Sequence, residues 1–349
     1  MMKSGIITHV QIHTDEVTLE RIRATRELVA PRVHHTPMLS SATAARFAGT
    51  ATGARPADDR LYLKAESLQK TGSFKPRAAL ARIASLTRDE RARGAITISA
   101  GNAGQAYAWA GREAGVPVTV VMPEAAVRSK VDACRGYGAE VVLHGRDVGQ
   151  TLARMHELVE TRGLTVVHPY DQPEVIAGNG SLGLEILEDL PDVDVVVVGV
   201  GGGGLISGVT IALKESKPTI RVYGVEPETS DALRRGIEAG EPVPIVPTSV
   251  ADGLGAPHGG RFAIAIARRY LDGIVLIDDP TILAGVRFGL ERLKLVLEPA
   301  GSAALAAVLT GAIPIHEGDR VCVILSGGNV ATDRLADLLA MARSLPEPA

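Results

Sequence analysis

The chain of 349 residues has little cysteine, little aromatic content and no marked charge of either sign. Its two cysteines, Cys134 and Cys322, lie far apart without metal-ligand spacing and with no histidine beside either. They read as packed thiols, not as a disulfide, a metal site or a nucleophile. The formal net charge is −3 and no run of basic residues stands out, which removes any long-range pull toward nucleic acid or an anionic membrane. No segment approaches ~20 uninterrupted apolar residues, the length of a membrane span. The start, residues 1–16, mixes polar and apolar residues where a signal peptide has a continuous apolar stretch. A cytoplasmic protein with no nucleic-acid or membrane partner is the expectation. With 46% hydrophobic residues the chain has core enough for two compact domains.

What is present is an alternation of short β-branched runs with alanine-rich amphipathic ones, the signature of an α/β fold with mostly parallel sheets covered by helices. The runs predict strands at 61–65, 95–99, 118–122, 140–143, 165–167, 193–198, 220–225, 274–277 and 321–325. Several are apolar on both faces, as parallel strands under helices must be. Helices are predicted at 74–86, 104–114, 150–161, 205–215 and 333–342, among others. The segments 54–59 and 241–249 read as surface loops, and no internal repeat is apparent. The unit 93–171 holds enough alternations to close on itself. It is therefore expected to form a small inserted domain, with 1–92 and 172–349 making the larger one.

Four polar loops follow predicted strands and share one plan. Gly201, Gly202, Gly203 and Gly204 join a valine-rich strand to a helix that opens with Leu205. Glycines allow close backbone approach, and free amides at a helix N-terminus favour an anion, so this is a phosphate cradle by physical logic or else a tight turn. No Lys-Ser/Thr pair follows, which separates it from a Walker A loop, and it makes a poor dinucleotide fingerprint. Ser99, Gly101, Asn102, Ala103 and Gly104 form a second loop, read as a carboxylate site or as ordinary capping. Ser326 begins a third, where a hydroxyl faces a ligand ring or a turn. Glu298 opens a helix as the fourth, with helix-terminus stabilisation as the alternative. Ligands of open α/β sheets bind at the carboxyl ends of strands, which is where all four lie. Lys75, set between Phe74 and Pro76 before an alanine-rich helix, is either a solvated lysine or the nucleophile of that site.

Taken together, the segments 64–79, 99–105, 130–145, 168–183, 198–208, 251–253, 298–304 and 326–329 resemble the fold type II, or tryptophan synthase β-like, pyridoxal phosphate enzymes. Within them the chain is similar to the threonine and serine dehydratases, from about residue 18 to residue 339. The resemblance implies two open, twisted, mostly parallel sheets with flanking helices, and pyridoxal 5'-phosphate as cofactor. By it Lys75 would carry the cofactor as a Schiff base and later act as base. The Gly201 to Gly204 amides with that of Leu205 would hold the phosphate. Asn102 would meet the ring hydroxyl, Ser326 the ring nitrogen, and Phe74 and Gly253 the ring faces. Ser99, Gly101, Ala103 and Gly104 would receive the substrate carboxylate, with Glu298 near the substrate amine or hydroxyl. A hydroxyl at Ser326 leaves the ring nitrogen largely neutral, which favours loss of a β-hydroxyl over transamination.

The implied activity is α,β-elimination from L-threonine, and from L-serine or a related small 3-hydroxy amino acid, to a 2-oxo acid and ammonium. A serine racemase or another β-elimination or β-replacement enzyme of the same fold is the alternative, and a non-catalytic phosphate-ligand binder the third reading. Ala100 weighs against the racemase, because serine racemases carry an acid/base serine there. Ala103 stands where many dehydratases have histidine, and Ala78 where glycine is usual. In metal-dependent relatives a divalent cation sits after the strand that ends here near Val225. Glu226 and Ser230 match its ligands, but the third position is Ala232 with Asp231 displaced by one, so a surface Glu-Pro turn is the reading and a magnesium or calcium site the alternative. A C-terminal regulatory domain is not expected, and a homodimer is.

Overall fold

Valine and isoleucine runs that are apolar on both faces must be covered on both sides, and the strand Val195–Gly199 is buried along its whole length. It is one of ten strands among the described residues, 16–345 and 347–348, of the computed structural model. Residues 1–15 of the polar start discussed above lie outside that range. The strands are β1 (Met38–Ser41), β2 (Leu61–Lys64), β3 (Ala95–Ile98), β4 (Val118–Met122), β5 (Glu140–Leu143), β6 (Thr165–Val166), β7 (Val195–Gly199), β8 (Arg221–Pro227), β9 (Gly273–Ile277) and β10 (Val321–Ile324). They form a six-stranded sheet in the order β1-β2-β10-β7-β8-β9 and a four-stranded sheet in the order β5-β4-β3-β6. Only β1 pairs antiparallel, with Met38 opposite Lys64. Every other pairing is parallel, which fixes the carboxyl ends of the strands on one side of each sheet.

Nine strands coincide with the predicted runs within a residue or two. The missed one, β1, is four residues with two serines at a sheet edge, too short to show an alternation of its own. The five predicted helices appear as Lys75–Ala84, Asn102–Ala114, Val148–Arg162, Gly204–Ser216 and Thr332–Ala340. Cys134 and Cys322 are free and buried, and burial pushes both thiols up to about 12.

The large sheet is covered on one side by the helix Pro299–Leu309, whose residues are all buried. Its apolar partners include Leu63, Val195, Val197, Val321 and Val323. On the other side lie the helices Pro173–Asp189 and Gly204–Ser216, with Val196, Val198 and Ile324 between. These two helices cross so closely that a Cβ on Gly208 would stand 2.2 Å from the Ile176 carbonyl oxygen, so only glycine fits.

That crossing sets the helix Pro173–Asp189 against the helix that starts at Lys75. Between them Arg77, with no exposed surface, donates to both oxygens of Glu66 at 2.8 Å each and to both oxygens of Glu185 at 2.6 and 2.8 Å. Lys64 continues the network to Glu185 at 3.1 Å and Asp189 at 2.7 Å. Burial acts against the charges of Arg77 and Glu185. Their pairing outweighs it, holding the guanidinium above and the Glu185 carboxyl below their ordinary ranges. Removing one partner of such a buried cluster strands the others. We expect Arg77→Met to lower the unfolding free energy by about 3–5 kcal/mol, read from urea denaturation. A loss no larger than that of an exposed arginine variant would show that the cluster contributes little.

Candidate active site

Lys75 follows a segment that is stitched to the loop after β10. Phe74 N donates to Ser326 O at 3.1 Å, Ser73 bridges Gly327, and Gly328 N donates to Gly72 O at 2.9 Å. Ahead of it Thr71 takes the left-handed φ of 58°, a costly conformation for a β-branched residue. Asn329 Nδ2 donates to the Thr71 carbonyl at 2.7 Å and helps to hold it there. Pro76 sits in the first helical turn, where a missing N–H leaves no bond unmade. The partly buried Lys75 amine lies 4.7 Å from the Phe74 ring centroid and donates to the Pro169 carbonyl at 3.4 Å. Burial lowers its pKa to about 8, against the opposing charge of Glu298.

Glu298, 3% exposed, is the second buried ionisable group of the site. Its carboxyl is raised to about 7 by burial and by Asp252, against Asn102, Lys130 and Lys75. Asn102 Nδ2 donates to Glu298 Oε1 at 2.6 Å, and Asn102 Oδ1 accepts from Asn329 at 2.8 Å. Asn102 thereby joins the loop after β3 to those before the helix Pro299–Leu309 and after β10. Lys130, on the helix Arg128–Gly136, reaches across to Asp252 at 2.6 Å, beside Gly253. Gly253 packs against Ala300, and a Cβ there would be 3.8 Å from Glu298 Oε1. Ser326 Oγ, buried, has a long 3.4 Å contact to the Ala300 carbonyl.

Two helix starts near these residues carry amides without a partner among the described residues. At the start of the helix Asn102–Ala114, Gly101 N donates to Ser99 Oγ at 3.2 Å, whereas the N–H groups of Asn102, Ala103 and Gly104 find no acceptor among the described residues. At the start of the helix Gly204–Ser216, the N–H groups of residues 201–206 find none either, and all but Gly201 are buried. Gly203 has φ +89°, which favours glycine, and a Cβ there would meet Ala263 at 2.4 Å. A buried amide without an acceptor is costly, and a cluster of them at the positive end of a helix is a site for an anion.

The structure thus brings the sequence-derived residues into one neighbourhood at the carboxyl ends of β2, β3, β7 and β10, except that Glu298 follows a helical segment and no strand, and reaches the site through its amide, which donates to the Gly327 carbonyl at 3.2 Å. Asn329 and Pro169 lie in the resembling segments 326–329 and 168–183, yet the sequence alone assigns them no role, because their contacts, of Asn329 with Thr71 and Asn102 and of the Pro169 carbonyl with Lys75, come from distant segments. The Glu226 reading needs correction. The residue is fully buried rather than part of a surface turn, because β8 continues through Pro227 under the helix Ala232–Ala239. Both Glu226 oxygens accept backbone amides, of Leu233 at 2.8 Å and Arg234 at 2.9 Å. Asp231 is paired with Arg234 and, at 2.7 Å, with Arg235. With its oxygens already engaged, this set does not fit a cation, and no group of three metal-ligating side chains of His, Cys, Asp or Glu occurs among the described residues.

The family model of pyridoxal-phosphate dependent enzymes matches residues 29–327. The chain is 40% identical to an L-threonine ammonia-lyase of Thermotoga maritima over 316 residues, 90% of this chain and 76% of the relative. It is 41% identical to the catabolic L-threonine dehydratase TdcB of Escherichia coli K12 over 280 residues, 80% of this chain and 85% of the relative. Among solved structures, a T.th. threonine deaminase superposes with a TM-score of 0.80 at 37% identity, covering 90% of this chain and 99% of that one. Maize serine racemase superposes with a TM-score of 0.85 at 31% identity, covering 93% and 97%. The chain belongs to the pyridoxal-phosphate dependent enzymes.

The residues present fit that cofactor. The acceptor-free amides of 201–206 suit its phosphate, the Lys75 amine suits its carbonyl carbon, and Ser326 Oγ has bonding capacity left for a ring atom.

In the apoprotein we expect acylation of Lys75 to titrate near 8 and not near the ordinary 10.5. Glu298→Gln should lower that midpoint further, since the carboxylate favours the ammonium. Because the folded value lies below the unfolded one, folding stability should rise with pH between about 8 and 10.5, and Lys75→Met should flatten this rise. An ordinary lysine midpoint would contradict the burial argument. Melting temperature should not change when divalent cations are removed with a chelator; a cation-dependent rise abolished by Glu226→Gln would restore the metal reading.

Proposed function

We propose that the chain is a pyridoxal phosphate-dependent L-threonine ammonia-lyase that also takes L-serine or a related small 3-hydroxy amino acid. The observation that carries this reading is a desolvated lysine amine at the Pro169 carbonyl, next to Tyr170 that walls the acceptor-free glycine loop, in a chain 40% identical to an L-threonine ammonia-lyase over 316 residues.

Pyridoxal phosphate, when bound, supplies the electron sink for the pair of electrons left at the substrate Cα. In the proposed arrangement the amides of Gly201, Gly202, Gly203, Gly204 and Leu205 hold its phosphate, Phe74 and Gly253 flank its ring, and Asn102 and Ser326 meet the ring oxygen and nitrogen. The amides of Asn102, Ala103 and Gly104, with Ser99 and Gly101, orient the substrate carboxylate. Lys75 Nζ, as the neutral amine that burial favours, takes the Cα proton. The Pro169 carbonyl then accepts an N–H of the resulting ammonium. Glu298, with a carboxyl raised to about 7, holds a proton that it gives to the departing β-hydroxyl, which leaves as water. The enamine released tautomerises and is hydrolysed to the 2-oxo acid and ammonium.

Ala100 supports elimination over racemisation, since its methyl group cannot return a proton to the face opposite Lys75. We further infer a homodimer in the cytoplasm, in which residues 93–171 form a smaller domain built on β3 to β6. Among the described residues no helix is long and apolar enough to cross a membrane.

With L-threonine we expect equal release of 2-oxobutanoate and ammonium by the purified holoenzyme, and a rate loss on the order of 10²–10⁴ or more in Lys75→Ala. If no small 3-hydroxy amino acid yields a 2-oxo acid, the lyase reading fails. Efficient formation of D-serine from L-serine would favour the racemase instead.

A further inference from the structure

The chain turns at residues 168–171 between β6 and the helix Pro173–Asp189, and this turn touches both Lys75 and the glycine loop. The Pro169 carbonyl meets Lys75 Nζ at 3.4 Å. Tyr170 walls the glycine loop, for a Cβ on Gly202 would lie 2.3 Å from its ring and one on Gly204 2.5 Å from its carbonyl oxygen. Asp171 accepts the amides of Arg261 and Phe262 at 2.9 and 3.1 Å, which ties the turn to the helix Arg261–Tyr270.

No backbone hydrogen bond between its own residues closes this turn. A side chain does so instead. His168 Nδ1 accepts from Tyr170 N at 3.3 Å and from Asp171 N at 2.9 Å. The residue is itself anchored, its carbonyl accepting from the Tyr107 hydroxyl at 2.7 Å and its amide donating to Gln172 Oε1 at 2.9 Å. Its ring stands edge-on to that of Tyr170, with centroids 4.5 Å apart. An imidazole that accepts at Nδ1 carries its proton on Nε2 and is neutral. Burial keeps it so, lowering its pKa to about 4 against the charge of Asp171, with His258 and Lys75 acting in the same direction as burial.

We infer that His168 is a positioning residue: by holding two amides of the turn, its Nδ1 sets the Pro169 carbonyl against Lys75 and the Tyr170 ring against the glycine loop. One imidazole thereby couples the placement of the amine to that of the anion cradle. The inference rests on Lys75 and the glycine loop forming the working site. It asks of His168 neither contact with substrate nor proton transfer.

Asparagine provides a sharp test, because its Oδ1 is bonded to Cγ as Nδ1 is and accepts hydrogen bonds from the same place. Glutamine carries its oxygen one bond too far, and alanine has none. The apoproteins of wild type, His168→Asn, His168→Gln and His168→Ala are compared by calorimetric titration with inorganic phosphate and by the pH dependence of Lys75 acylation, read by mass spectrometry. Glu298 and His168 are the titratable groups facing Lys75, and Glu298 is unchanged throughout.

His168→Asn should keep phosphate affinity within about twofold and leave the Lys75 midpoint in place. His168→Gln and His168→Ala should lose on the order of tenfold in phosphate affinity and shift that midpoint together. If alanine does not fold, the asparagine and glutamine pair decides. The inference is overturned if the glutamine or alanine protein keeps wild-type values, if only one of the two readouts moves, or if asparagine fails as badly as alanine. Neither readout uses a substrate, so absence of lyase activity would leave this outcome standing.

Discussion

Desolvation of the Lys75 amine places demands on everything around it. A buried ammonium is costly, so the amine drifts toward neutrality, which is the form a base requires. Yet a base must also be stable once it has taken a proton. The Pro169 carbonyl at 3.4 Å and the Glu298 carboxyl answer that second demand, the one as an acceptor and the other by its charge. Glu298 is buried as well and is itself pushed toward the neutral form. Two groups of opposite type, each destabilised as an ion and each favouring the ion of the other, form a pair whose charge state depends on both. The pair suits a reaction in which one group takes a proton while the other gives one.

Such a pair is useful only if its geometry does not relax, and the parallel sheets supply the rigidity. The carboxyl ends of β2, β7 and β10 lie side by side in one sheet, and that of β3 comes from the other. Lys75 therefore does not depend on its own loop. It starts a helix that is held from behind by Arg77, locked between Glu66 and Glu185. Replacing the whole cluster by apolar side chains of equal volume would serve stability as well. It would not hold the helix at a fixed rotation, because apolar contacts are tolerant of small slides whereas two bidentate pairs are not.

What the sequence made legible follows the range of the interactions concerned. Strands buried on both faces announce themselves locally, and nine of the ten were read, while β1 owes its existence to its partner β2. Glycines at 201–204 and the polar residues at the other strand ends are visible because backbone conformation and amide exposure are local properties. Asn329 and His168 look like ordinary turn residues in the chain, and only the folded structure brings Asn329 to Asn102 across 227 positions or the His168 turn to Lys75. Glu226 was misread for the same reason. An acid before a proline suggests an exposed turn, but here the strand runs on through Pro227 and the carboxylate is spent on the amides of the following helix.

The asymmetry of the site bears on which reaction it favours. The groups that carry protons, Lys75 and Glu298, are joined through a network that includes Asn102 and Asn329, and neither asparagine can give up a proton at working pH. At position 100 the side chain is a methyl group, which can neither take nor give a proton. In the proposed mechanism a proton taken by Lys75 returns by the way it left, since inversion at Cα would need a donor on the other face. Loss of the β-hydroxyl needs none there, only a proton on the leaving oxygen, and Glu298 is poised to hold one. Under that proposal, an amine acting as base from one face leaves the amino acid restoration or elimination as its two outcomes.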